Sequence, residues 1–204
     1  INFFGLRDNY KIKELNNYPL SKNNLTGCLS LINVELYDVD IFSDNSSCED
    51  SINLINVTGN INNIEINNSL SDGLDIDFSN IKIDNVKISN SNNDCLDVSF
   101  GKYYFNKLNL SKCGDKGLSV GEGSIVDIND IIVNNSDIGV ASKDSSYTKI
   151  INSKIQNIDK CFSAYNKKQE FSGAEISVTQ SKCKNYKNEN YKDSFSTINI
   201  SKIK

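Results

Sequence analysis

Six apolar residues recur at a step of 22 along this chain: Ile52, Leu74, Leu96, Leu118, Val140 and Phe162. At 38% apolar composition, one column does this by chance roughly three times in a thousand. A fixed repeat of this length means that each unit buries its apolar face only by stacking on its neighbours. Two residues on, the column reads Leu54, Ile76, Val98, Val120, Ser142 and Ala164. The residues between the two columns are Asn53, Asp75, Asp97, Ser119, Ala141 and Ser163, mostly polar. That alternation predicts a strand in every repeat with one face buried.

A second apolar set follows in each repeat: Ile61, Ile64 and Ile66, then Ile83, Val86 and Ile88, then Phe105, Leu108 and Leu110. In the next repeat it slips by one residue, to Ile128, Ile131 and Val133. The spacing i, i+3, i+5 is not helical and fits two short strands around a one-residue corner. The corner is assigned to Asn63, Asn85, Lys107, Asn129 and Asn152, where stacked Asn amides satisfy one another from rung to rung. Asn is abundant and tolerates left-handed backbone, and Ile favours strands.

The expected fold is therefore all-β: a single-stranded, right-handed parallel β-helix of about 22 residues per rung and roughly seven rungs. No repeat shows the L-x-x-L-x-L-x-x-N run of a leucine-rich repeat. The length of 204 residues predicts one domain, 1–204. Residues 1–20, with Phe3, Phe4, Leu6, Tyr10 and Leu20, are expected to cap the first rung. Residues 21–183 hold the rungs, which start at Gly27, Asp50, Asp72, Asp94, Lys116, Ile138 and Lys160, with a ragged one near Lys182. Residues 184–204 finish the last rung, the Lys/Asn-rich stretch before Ile198 being expected as loop. The clearest insertion is Asn166 to Ser172.

Composition removes several chemistries. There is no His, which excludes Ser-His-Asp and Cys-His catalysis and His-ligated zinc. There is no Trp to stack a sugar. A net charge of −4 gives no reason to expect a nucleic-acid partner. No apolar run approaches the length needed to span a bilayer.

The stretch from Ser69 to Ser146 (SLSDGLDIDFSN, NSNNDCLDVSF, CGDKGLSVGEGS, IGVASKDSS) resembles the pectin-lyase-like right-handed β-helices, and most of all their polygalacturonase branch. In that family the active site is read from successive rungs as Asn-Thr-Asp-Gly, Gly-Asp-Asp-Cys, Gly-His-Gly and Arg-Ile-Lys. Here Leu70-Ser71-Asp72-Gly73, Asn92-Asn93-Asp94-Cys95, Asp115-Lys116-Gly117 and Ala141-Ser142-Lys143 stand in those places. The resemblance implies roles for Asp72, Asp94 and Lys143. Three departures bear on catalysis. Asn93 replaces the carboxyl that would act as general acid, Lys116 replaces the His, and Ala141 replaces the substrate-binding Arg. The segments CEDSIN, NDCLD, CGDKG and ASKD also resemble β-helix regions found beside spore-coat-type kinase domains.

The stacked acids are the strongest chemical feature. Asp72 and Asp94 share one column, and Asp75 and Asp97 another, so each pair lies about 5 Å apart by backbone. Such a pair raises a pKa or holds a cation. Candidate catalytic residues are Asp72, Asp94, Asp97, Lys116 and Lys143, Asp97 serving as acid if crowding raises its pKa. Candidate ligand-binding residues are Asp75, Asp77, Asp115, Glu122 and Asp144, and Asp75, Asp77 and Asp97 are a candidate Ca²⁺ site. The competing reading is that these Asp cap turns and that the Lys form a solvated ion-pair ladder. Gly117, Gly121, Gly123 and Gly139 lack a phosphate-loop context and read as turns. Tyr103 falls on an inward column.

Cysteines at 28, 48, 95, 113, 161 and 183 give intervals of 20, 18 and 22, each about one circuit. The expected pairs are Cys28–Cys48, Cys95–Cys113 and Cys161–Cys183, the last joining directly stacked residues; the alternative is six reduced packing residues. Disulfides imply a secreted, periplasmic or cell-surface protein. The expected function is polysaccharide or oligosaccharide binding along the strand face without efficient catalysis, needing no cofactor beyond the candidate Ca²⁺. The alternatives are a divergent hydrolase or lyase acting on an acidic glycan, and a structural stalk or adhesin segment. The expected state is a monomer or part of a longer surface protein.

Overall fold

The computed structural model describes residues 1–5 and 25–201. Each turn of the chain supplies a short strand and a long bent one. The short strands are β2 (Gly27–Ile32), β4 (Asp50–Ile55), β6 (Asp72–Asp77), β8 (Leu96–Ser99) and β10 (Lys116–Gly121). The long ones are β3 (Glu35–Ser46), β5 (Thr58–Ser69), β7 (Asn80–Ser91) and β9 (Lys102–Cys113). In the later turns the two run together as β11 (Ile125–Lys143), β12 (Tyr147–Tyr165) and β13 (Glu175–Lys192), and β14 (Thr197–Ile200) closes the stack. At the other end β1 (Asn2–Phe4) pairs with β3, and the Phe4 ring packs 5.4 Å from Phe42. Leu6, Tyr10 and Leu20 of the expected cap lie outside the described residues.

All pairings are parallel, and the described residues form a β-solenoid of about eight turns with no helix. The register reproduces the 22-residue step: Ile52, Leu74, Leu96, Leu118, Val140 and Phe162 stack one on the next. Leu74, Ile76, Leu96, Val98, Leu118 and Val120 are wholly buried, and the core runs the length of the coil. Where the inner column turns polar at Ser142, its hydroxyl bonds to those of Ser146 (2.6 Å) and Thr148 (3.0 Å). Tyr103 is core, and its hydroxyl donates to the carbonyls of Ile76 and Ser99.

The corners use Asn more systematically than the sequence suggested. One corner column reads Asn45, Asn68, Asn90, Lys112, Asn135, Asn157 and Asn185, all at φ between 52° and 61°. Asn bonds its own side chain locally and adopts left-handed backbone at low cost. Its amides also ladder: Asn90 donates to Asn68 (3.1 Å) and Asn157 to Asn134 (2.8 Å). At the other bend, Asn85 donates to Asn63 at 3.1 Å, but the register continues through Lys107 to Asp130 and then Asn152. Asn129 is one residue off that corner, because the slip at Ile128 moves the whole bend. It still donates to Asn106 Oδ1 at 3.0 Å.

Three disulfides close the coil: Cys28–Cys48, Cys95–Cys113 and Cys161–Cys183, with Cα separations of 5.3, 5.3 and 6.4 Å. They are compatible with an extracellular location. The third does not join stacked residues. Cys183 stacks on Ile155, since the insertion after Tyr165 makes the next circuit 28 residues long (Ile155↔Cys183). For the same reason the last short strand begins at Asn188, stacked on Lys160, and not near Lys182. The Lys/Asn-rich stretch expected as loop is strand up to Lys192. No helix among the described residues is long and apolar enough to cross a membrane.

Candidate functional site

The outward face of the short strands carries the chemistry. Its central column is Asn53, Asp75, Asp97, Ser119, Ala141 and Ser163. On one side runs Asp50, Asp72 and then the Asp94–Lys116 step; on the other run Asp77, Ser99, Gly121 and Lys143. Alternation with the buried columns turns Asp75 and Asp97 outward, where exposure is the expectation, yet both are half-buried, and Asn53 and Ser119 are fully so. Outward side chains on adjacent rungs are close enough to cover one another. Asn53 Nδ2, for example, donates to Asp75 Oδ2 at 3.0 Å. The face is a recessed polar strip.

Burial and mutual repulsion set its protonation. Asp75 is pushed up to about 9, first by burial and then by Asp77, Asp50, Asp97 and Asp72. Burial raises Asp50 and Asp94 to about 7 each, helped at Asp50 by Asp72 and opposed at Asp94 by Lys116. Asp72, Asp77 and Asp97 are also raised, burial being the largest cause in each case. The strip therefore mixes neutral and ionised carboxyls near neutral pH.

The Asp72 and Asp94 carboxylates also hold the coil together. Asp72 Oδ1 accepts the Asp94 N–H at 2.8 Å and the Asn93 side chain at 2.7 Å. Asp94 Oδ1 accepts the Lys116 N–H at 3.0 Å and pairs with its ammonium at 3.3 Å. Each caps the next rung, so the turn-chemistry reading applies to these two in a modified form, between rungs and not within one. Lys116 also pairs with Asp115; burial works against its charge, but Asp94 and Asp115 outweigh it and its pKa rises. Lys143 is buried beside Asp97, whose negative charge it supports.

The insertion stands over one end of the strip. Asp144, wholly buried, accepts the backbone N–H groups of Lys167 (2.6 Å) and Lys168 (2.8 Å). Lys168 pairs with Glu122, which also accepts from Ser99 at 2.7 Å. Burial opposes ionisation of Glu122, but these hydrogen bonds win and its pKa falls. Asp144 and Glu122 thus anchor a wall, Asp144 from within the fold and Glu122 from the edge of a depression beside the strip. Among the described residues the other turns beside the strip are short.

Asp75, Asp77 and Asp97 share the strip, but among the described residues no three acidic, thiol or imidazole groups converge as a bound metal requires. One depression, about 630 Å³, lies elsewhere, at the bend lined by Ile64, Val86 and Leu108 together with Asn63, Asn85 and Lys87. It holds no cluster of perturbed groups. A second, about 550 Å³, adjoins the strip and is lined by Phe78, Phe100, Phe171, Glu122 and Ile125. Sequence reasoning missed Asp50, although it stands 22 residues before Asp72. It also missed Phe78 and Phe100, whose own 22-residue step was the available signal.

Comparison of the chain with family models, with curated proteins and with solved structures returns no match.

Proposed function

We propose that the protein is a secreted or cell-surface, right-handed pectin-lyase-like β-helix that binds a polysaccharide along the strip of Asp50, Asp72, Asp75, Asp77, Asp94 and Asp97. One observation carries this reading. The outward face of the short strands is polar yet recessed, with Asn53 only 1% exposed and six carboxyls gathered on three rungs. A stalk needs the caps made by Asp72 and Asp94 but gains nothing from the acids stacked beside them, since burying Asp75, Asp77 and Asp97 together raises their pKa values at the expense of stability. Carboxyls in both protonation states offer donors and acceptors, which suits sugar hydroxyls. A repeating ligand matches a repeating surface. The protein acts as a monomer or as a segment of a longer surface protein.

The test is a glycan-array screen with wild type, Asp77→Asn and Asp97→Asn, run with and without Ca²⁺. At least one glycan is retained by wild type and lost by the variants. No retained glycan, or equal retention by all three proteins, overturns the reading.

A divergent hydrolase or lyase is the second reading, favoured by one observation: Asp94, at about 7, can exchange a proton near neutral pH beside Lys116. Product release from galacturonan or alginate that disappears in Asp94→Asn establishes it; none removes it.

A further inference from the structure

We propose that the acidic strip takes a linear glycan whose units carry ammonium groups, with the Phe78–Phe100 rim packing against its apolar ring faces. This rests on the polysaccharide reading above and names its ligand class.

The charge is one-sided where it matters. Lys116 pairs with Asp94, but among the described residues no ion pair reaches Asp50, Asp72, Asp75 or Asp77. These four stand on two adjacent rungs. Buried acids without a counter-ion favour a cationic ligand, and an acidic glycan meets repulsion.

The orphaned atoms point the same way. Among the described residues, the unpartnered buried side-chain atoms of the central column are Asn53 Oδ1, Asp97 Oδ1 and the hydroxyls of Ser119 and Ser163. The two on the acidic rungs are acceptors, and the hydroxyls can accept as well as donate. An unpartnered buried acceptor is costly and calls for a donor. An ammonium group supplies three donors and no acceptor.

The rim adds an independent feature. Phe78 and Phe100 occupy a left-handed corner column, at φ 51° and 49°, where earlier rungs place Asn33 and Asn56. A bulky residue there is a genuine outlier, and such strain gathers at ligand clamps. Both rings are exposed, 56% and 45%, and stack at 4.9 Å with 7° between planes. They directly follow Asp77 and Ser99 in the chain, so they border the strip. Aromatic rings take both apolar sugar faces and cations. The rung spacing of about 4.8 Å is close to the length of one pyranose unit, so successive units meet successive rungs.

The probes are glucosamine oligomers, their N-acetylated counterparts of equal length, and oligogalacturonate, titrated at low and high salt. Wild type binds the glucosamine oligomer about tenfold more tightly than the acetylated one, and salt narrows the gap. Asp75→Asn/Asp77→Asn loses the preference while keeping its far-UV spectrum. Phe78→Ala weakens both the amino and the acetylated ligand several-fold. Equal or tighter binding of the acetylated or acidic oligomer overturns the ammonium class but leaves the polysaccharide reading standing. A preference that survives Asp75→Asn/Asp77→Asn is general attraction to an acidic chain and overturns the site. Unchanged affinity in Phe78→Ala overturns the rim. Failure of every glycan to bind removes this inference and the reading beneath it together.

Discussion

Buried acids with raised pKa values reverse the usual dependence of stability on pH. In the folded chain Asp50 and Asp94 titrate near 7 and Asp75 near 9, against 3.8 for the free side chain. Between these limits the folded state holds protons that the unfolded state has released, so stability falls as pH rises from about 4 to 9. Below about 4 both states are protonated and nothing more is gained. Glu122 and Glu65, whose pKa values are lowered from 4.5, act in the opposite sense only in acid. The thermal midpoint is accordingly higher at pH 5 than at pH 8, and Asp75→Asn raises it at pH 8. A midpoint that climbs steadily from pH 5 to pH 8 contradicts this. The same strip was legible from the 22-residue step, because Asp72, Asp94, Asp75 and Asp97 stand in register. Its recession was not legible, because exposure depends on which neighbours a side chain meets across rungs. Leu96 is simpler. It is wholly buried between Leu74 and Leu118, and Leu96→Ala destabilises by about 2–5 kcal/mol in denaturant titration.

The corners and crosslinks belong to the scale of elements. Alternation fixed the strands, since an inward–outward period of two survives any change of loop. It failed where a loop changed the circuit. The insertion after Tyr165 lengthens one turn to 28 residues, so the last short strand falls at Asn188, and Cys183 stacks on Ile155. A constant 22-residue step in the sequence carries no trace of this longer circuit. The insertion itself hangs on Asp144, which accepts two of its backbone N–H groups. Asp144→Ala leaves both donors without that acceptor and lowers stability by about 1–3 kcal/mol. It also frees Lys168 from Glu122, which limited proteolysis between 166 and 173 detects as faster cleavage. Equal cleavage rates contradict the anchoring role. Cys95–Cys113 closes a circuit of 18 residues. Removing it as Cys95→Ser/Cys113→Ser costs about 3 kcal/mol by the chain-entropy argument, read as a lower denaturant midpoint.

At the scale of the molecule, a stack of parallel rungs turns residues 22 apart in sequence into neighbours. This is how six carboxyls from three separate stretches come to one strip without any long loop to assemble them. The arrangement makes the proposed binding a property of the repeat, confined to the face that gathers these carboxyls. The depression at the opposite bend is larger but lacks those groups. The most direct test is a backbone amide NMR titration with the tightest glycan from the array. Shifts confined to 50–56, 72–78 and 94–100 are the predicted result. Shifts centred on the bend of Ile64, Val86 and Leu108, or spread evenly over the coil, contradict the strip as the binding face.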